Sequence, residues 1–326
     1  MSDPDDEFAR IARYFAPLAS SEAGAFDLLD DAAAFAPRPG HDIVVTTDAL
    51  VGGVHFLADD LAADIARKSL RVNLSDLAAM GAVGRFYTLA AALPASTTDS
   101  WLSDFVTGLR EDQEAYGVTL IGGDTVSTAG PITISVTALG ECAAGKTVRR
   151  AGAKPGDRIY VSGTVGDAAL GLKVRNGTLS ADDKTAAMLI DRYLRPRPRT
   201  TLGPRLVGIA SAMIDVSDGL LADLGHIASV SGVGAAVTAK DLPLSEAARP
   251  LVDDNADLIV TVLTGGDDYE LLFTVPPTRA IEIEQVARLT AIPLTLIGSV
   301  ESDGGVRALD RNGTPMTIGE MGYRHF

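Results

Sequence analysis

Nine aspartates stand where the chain turns or where a β-branched run stops: Asp30, Asp31, Asp48, Asp76, Asp124, Asp215, Asp218, Asp267 and Asp268. Several have small residues beside them, as in Gly122-Gly123-Asp124-Thr125 and Gly265-Gly266-Asp267-Asp268, where backbone can approach a ligand closely. Asp is also an ordinary turn and cap residue, and any one of these is explained by that use. The set, repeated in both halves of the chain, asks for more. Four histidines and one cysteine leave little for a zinc centre, whereas hard carboxylate oxygens suit magnesium or calcium. Magnesium is typically shared between carboxylates and substrate phosphates, so the pattern predicts a metal-bridged nucleotide. The net charge of −15 fits that reading, because phosphates could approach only with cations between. It excludes a nucleic-acid surface, which needs clustered Lys and Arg.

Periodicity gives the elements that must position these groups. At about 3.6 residues per turn, Ala66, Leu70, Leu74, Leu77 and Gly81 form an apolar stripe, with Lys68, Arg71 and Ser75 opposite. Asn73 falls within the apolar face and Asp76 at its edge, where a carboxylate needs a cation or hydrogen-bond donors before it. Taken alone, an ion pair or a local hydrogen bond meets that need. Residues 8–18 read as a short amphipathic helix and 99–116 as a longer one. Residues 42–48 and 118–121 read as strands that end at Asp48 and at Gly122-Gly123-Asp124, with further strands over 86–93 and 131–139. A run of small residues and turn formers at 151–157 predicts a boundary between two domains, 1–150 and 151–326. Beyond it come strands at 158–162, 212–215 and 271–275, a helix from 167, and a helix with Leu220, Leu221, Leu224 and Ile227 inward. The run Arg195-Pro196-Arg197-Pro198-Arg199 reads as an extended basic linker. Helix and strand mix without strict alternation, which predicts two α/β or α+β domains rather than one parallel wound sheet.

Other motifs are weaker. Gly140-Glu141-Cys142-Ala143-Ala144-Gly145-Lys146-Thr147 fits the P-loop pattern, but Pro155-Gly156 follows too soon for the helix that must receive the phosphates. His55, after Gly52-Gly53, suits a phosphate or a ring as well as a structural role. No Ser, His and Asp order suggests a hydrolase triad, and Cys142 has no activating neighbour, so no covalent intermediate is expected. The acidic amino terminus lacks the regions of a signal peptide, and no apolar run approaches the roughly 18 residues of a membrane span. A cytoplasmic protein without membrane partners is expected.

The segments Asp30-Asp31-Ala32-Ala33, Thr46-Thr47-Asp48, Asn73-Leu74-Ser75-Asp76, Gly122-Gly123-Asp124-Thr125, Asp215-Val216-Ser217-Asp218-Gly219 and Gly265-Gly266-Asp267-Asp268-Tyr269-Glu270 occur in one order. In that order, and on to the terminal Gly322-Tyr323-Arg324-His325-Phe326, the chain resembles the thiamine-monophosphate kinase family of the aminoimidazole ribonucleotide synthetase-like superfamily. The resemblance implies a mixed α/β, two-domain fold. Its first domain would bind metal and ATP and join its sheet to a twin's in a homodimer, and its second would complete the active site. It implies magnesium-dependent, direct in-line transfer of the ATP γ-phosphoryl group to thiamine monophosphate, with several magnesium ions. Carried over, Asp31, Asp48, Asp76, Asp124, Asp215 and Asp218 are metal ligands, joined by Thr46 and Thr47, and Asp48, Asp76, Asp124 and Asp218 are catalytic. Gly123, Arg150, Ser217 and Tyr116, with Thr46, Thr47 and Asp124, would meet ATP, while His55, Asp267 and Tyr323 would meet thiamine monophosphate. Two positions depart from the family pattern: Leu29 replaces a usual Gly, and Asp267 a frequent Glu. The alternatives are a selenophosphate synthetase-like enzyme, which would carry a reactive Cys near its amino terminus, and a non-catalytic magnesium–nucleotide module.

Overall fold

The computed structural model describes residues 7–323; residues 1–6 and 324–326, with the acidic amino-terminal run and the terminal Arg324-His325-Phe326, lie outside the described residues. The chain divides into two compact units, one of Met1–Leu77 with Ala82–Gly145 and one of Ala78–Gly81 with Lys146–Phe326. Both mix helices with a sheet, as the sequence patterns predict.

The sheet of the first unit has strands β1 (His41–Val51), β2 (Val83–Pro94), β3 (Thr119–Thr128) and β4 (Thr133–Ala143) in the order β1-β4-β2-β3. Only β2 and β3 run parallel. Directly paired residues share a face. One face carries Val44, Leu50, Ile134, Val136, Ala138, Tyr87, Leu89 and Ala91, all buried. The helix Ala62–Ala79 comes so close to this face that a side chain at Gly84 would meet Leu74 and Leu77, 3.2 and 3.6 Å from a Cβ there. The helix Asp99–Tyr116 starts under a Thr98 cap, whose hydroxyl accepts from the Trp101 N–H, and ends at Gly117 with φ 67°. It crosses its neighbour at Gly108, where a Cβ would lie 2.4 Å from the Ala63 carbonyl oxygen.

In the second unit β5 (Arg158–Ser162), β6 (Ala212–Asp215), β7 (Gly234–Thr238), β8 (Leu271–Val275), β9 (Leu294–Glu301) and β10 (Gly305–Leu309) form a sheet ordered β10-β7-β9-β5-β8-β6. The helix Leu220–Ser231 sends Leu220, Leu221, Leu224 and Ile227 into its core, as the pattern predicts.

Four local expectations are corrected. Strand β1 does not stop at Asp48 and β3 does not stop before Asp124; each runs on because Leu50-Val51 and Val126-Ser127-Thr128 keep finding paired neighbours on β4 and β2. The helix Ala62–Ala79 has no solvated opposite face, since Lys68 and Ser75 are buried and the Lys68 ammonium donates to the His55 carbonyl at 2.9 Å. The residues 195–199 are no linker: Arg195 and Arg197 pair with Asp191, and Arg199 clamps the buried Glu270. The P-loop look-alike, by contrast, behaves as expected: its first residues end strand β4, and no helix follows before β5.

Arg71 holds the buried Asp112 through two hydrogen bonds of 2.7 Å, tying the two long helices together. Burial pushes the Asp112 carboxyl up, so the guanidinium is what keeps it tolerable. Arg71→Ala should therefore lower stability by about 3 kcal/mol, the scale of breaking a buried pair from one side. Urea unfolding of both proteins measures it, and a loss below about 1 kcal/mol, the scale of a surface pair, would refute it.

Candidate functional site

In the first unit the acidic residues gather in two places. Thr46 donates from Oγ1 to Oδ2 of Asp76 at 2.5 Å, joining strand β1 to the helix that carries the carboxylate. Asp76 is half-buried at the edge of the apolar face, and Asp48 lies two residues from Thr46 on the same side of β1. Thr47 faces the other way, its hydroxyl donating to the Val136 carbonyl at 3.1 Å and sharing a 2.9 Å hydrogen bond with Thr137. Adjacent residues of a strand alternate, so the two threonines do not act as a pair.

Asp30, Asp31, Gly123 and Asp124 meet around a cavity of about 120 Å³, backed by Phe15, Leu89 and Leu120. Leu29 has φ −101° and ψ −12°, a conformation open to any residue, so the family's Gly is not required there. The left-handed residues are instead Phe26, Asp27 and Leu28. Asp48 pairs with Val136, Val136 with Leu89, and Leu89 with Gly123, so Asp48 on β1 and Gly123-Asp124 on β3 occupy opposite sheet edges. Three interstrand spacings, about 14 Å, separate them.

Tyr116 closes the helix Asp99–Tyr116, with the Arg71 guanidinium 5.6 Å from its ring centre. The His55 ring accepts the Val51 N–H at Nδ1 at 3.0 Å, which leaves Nε2 as the protonated, donating nitrogen.

The second unit concentrates its predicted residues on one backbone platform. The chain leaves β6 at Asp215 and turns through Val216-Ser217-Asp218-Gly219 into the helix Leu220–Ser231. The N–H of Asp267 donates to the Ser217 carbonyl at 2.9 Å, that of Tyr269 to Val216 at 2.8 Å, and that of Tyr323 to Asp218 at 2.9 Å. Metal, nucleotide and substrate assignments thus meet at one turn. Gly266 permits the approach, since a Cβ there would lie 2.1 Å from the Ser217 carbonyl oxygen. Arg150 is exposed, and its carbonyl accepts from Ser231 at 3.4 Å.

Three buried acids hold this platform: Asp268, already in the acidic set, and Asp223 and Glu270, to which sequence reading gave no part. Oδ2 of Asp223 accepts from the N–H groups of Ser217, Asp218 and Gly219 at 3.0, 3.1 and 3.1 Å. Burial first, and the Asp218 charge second, push its carboxyl up to about 7. Asp268 accepts from the Gly166 N–H at 2.5 Å and the Ala168 N–H at 3.3 Å. Glu270 receives Ser162 at 2.6 Å, Arg192 at 3.0 Å, and Arg199. The available signal was an acidic residue inside an apolar run, as in Leu220-Leu221-Ala222-Asp223-Leu224. Among the described residues, Asp218, Asp223 and His226 are the group with ligand atoms within 4.8 Å of one another. Asp218 with Asp223, and Thr46 with Asp76, are oxygen-rich sets that fit a hard divalent cation such as magnesium.

The pairs of acids make the second unit sensitive to pH. Burial pushes the Asp268 carboxyl from its ordinary 3.8 up to about 8, with the neighbouring Asp167 charge adding to the effect. The fold then keeps a proton that the unfolded chain has already lost, so this group's stability contribution falls as pH rises between those two values. Asp268→Asn cannot titrate. Relative to the wild type it should gain stability from about pH 5 to about pH 8, and parallel melting curves across that range would refute this.

Two family descriptions match the chain: AIR synthase related protein, N-terminal domain, over residues 29–142, and AIR synthase related protein, C-terminal domain, over residues 154–311. The thiamine-monophosphate kinase of Salmonella typhimurium is 44% identical over 322 residues, covering 98% of each chain. The crystal structure of thiamine-monophosphate kinase from Stenotrophomonas maltophilia K279a superposes with a TM-score of 0.81 at 44% identity, covering 89% of this chain and 91% of that one. AaThiL complexed with AMPPCP and TMP does so with a TM-score of 0.79 at 31% identity, covering 94% and 98%.

Proposed function

The chain belongs to the thiamine-monophosphate kinases within the AIR synthase related proteins, and from that membership we infer that it transfers the γ-phosphoryl group of ATP to thiamine monophosphate, giving thiamine diphosphate and ADP. The observation that carries this reading is the convergence of Asp215, Ser217, Asp218, Asp267 and Tyr323 on one turn, which suits a site where two phosphorylated molecules meet. The structure of a 31% identical relative with AMPPCP and TMP supports the same pair of substrates.

In this proposal Asp31, Asp48, Asp76, Asp124, Asp215 and Asp218, with Thr46, would hold magnesium; Thr47, on the other face of β1, drops out of the expected set. Magnesium, when bound, would supply positive charge that offsets the phosphates of donor and acceptor. The chain's own residues orient and shield. Thr46 directs the Asp76 carboxylate by donating to one of its oxygens. The Ser217 turn, Gly123 and Arg150 receive the nucleotide, and Tyr116 lies against it. His55 offers Nε2–H to the acceptor phosphate, while Asp267 attracts the thiazolium cation. An oxygen of the acceptor phosphate attacks the γ-phosphorus in line as the bond to the β-phosphate oxygen breaks, and ADP leaves. No protein nucleophile is needed. Cys142 suits that role poorly, since it is buried and burial pushes its thiol up. A cytoplasmic location, where ATP is made available, completes the proposal.

A homodimer belongs to the same reading. The face of the first sheet opposite its core exposes Ile43, Val45 and Val126, with Val45 57% exposed, and both edge strands β1 and β3 lack a second neighbour in the sheet. Apolar groups on an open sheet face suit burial against a second copy of the same sheet.

Incubation with ATP, magnesium and thiamine monophosphate tests the activity; nucleotide binding without thiamine diphosphate would sink the kinase reading. Asp76→Asn should remove most turnover, about a hundredfold or more, while melting as the wild type does, because it removes charge at constant size. Wild-type rates at limiting magnesium would contradict the assignment. Val45→Lys should halve the mass measured by light scattering, and an unchanged mass would count against this face as the dimer surface.

A further inference from the structure

We propose that Asp223 is a positioning residue of the reaction, its carboxylate setting the Ser217-Asp218-Gly219 turn so that Ser217 and Asp218 face a magnesium-bound nucleotide; the role rests on the function proposed above. Three successive backbone N–H groups that converge on one point form a nest, a concavity that takes an anion. Here Oδ2 of Asp223 is that anion, at 3.0 to 3.1 Å from all three nitrogens. Asp223 is 1% exposed and comes from a helix whose other inward residues are leucine, isoleucine and alanine. A residue that only filled this space would be apolar, since a buried carboxylate is costly unless its bonds are needed.

The turn is pinned from a second side as well. Gly219 has φ 131°, and a Cβ there would lie 2.6 Å from the Thr264 carbonyl oxygen. The carbonyls of Ser217 and Asp218, whose N–H groups Asp223 holds, in turn receive the N–H groups of Asp267 and Tyr323. One carboxylate therefore sets the backbone beneath residues assigned to metal, nucleotide and acceptor. It also stands within 4.8 Å of the Asp218 carboxylate, so it adds negative charge where a cation would bind. Removing it would loosen the turn and weaken that attraction together.

The test compares Asp223→Ala and Asp223→Asn with the wild type by three measurements. These are amide hydrogen exchange over residues 216–219, calorimetric binding of ATP with magnesium and without acceptor, and magnesium titration of thiamine diphosphate formation. The Ala variant should lose protection in the turn and bind magnesium–ATP about 10- to 100-fold more weakly. The Asn variant, which keeps one acceptor oxygen at the same place, should restore much of the protection while its magnesium requirement stays raised by about tenfold. Wild-type magnesium–ATP affinity in either variant, or a turn as protected in Ala as in the wild type, would overturn the proposal. Should the Ala variant fail to fold, the Asn titration decides alone. If the wild type binds magnesium–ATP yet forms no thiamine diphosphate, the kinase reading falls, while exchange and calorimetry still decide the role of Asp223.

Discussion

Backbone N–H groups that leave a strand and have not yet entered a helix must find acceptors, and in the second unit they find buried carboxylates. Asp223 satisfies the turn after β6, and Asp268 satisfies the turn after β5 at the start of the helix Asp167–Arg175. A buried carboxylate is tolerable only when fully bonded, so each acid and its turn stabilise one another. Glu270 extends the device with Ser162, Arg192 and Arg199, and its own carbonyl accepts the Val216 N–H. The half-buried Asp218 and Asp267, which would meet metal and substrate, stand on segments that neighbouring buried acids hold.

The first unit solves the same problem with regular structure. Asp48 sits on a strand and Asp76 on a helix rather than on turns, and their direction follows from the two-residue period of β1 and from the close seat of the helix on Gly84. Thr46 and Asp76 meet because strand and helix are both anchored by apolar neighbours, Val44 and Leu50 on one and Leu74 and Leu77 on the other. Rigid elements hold a ligand oxygen more closely than loops do.

Much of this was legible in the residues. The helix Asp99–Tyr116 and the strand Arg158–Ser162 follow from periodicity with their observed bounds, and the acidic positions were evident from their turn-forming neighbours. The ends of β1 and β3 were not legible, because Asp48 and Asp124 break the β-branched pattern while pairing with β4 and β2 carries the backbone past them. The burial of Lys68 and Ser75 was hidden for a related reason: amphipathic period records polarity, whereas a lysine can bury its stem and place its ammonium on a carbonyl. Arg199 and Asp223 depend on partners 71 and 4 to 6 residues away, and single-chain patterns carry no signal for which acid meets which donor.

The alternation along β1 has a consequence for how this protein can vary. Thr46 and Asp48 look toward the helix and Asp76, while Val45 and Thr47 look toward the open face, so two sets of demands are interleaved in one stretch. Substitutions can adjust either set without disturbing the other. The loss or gain of one residue there would exchange the two sets at a stroke, and the lineage is therefore free to drift in composition along β1 but not in length.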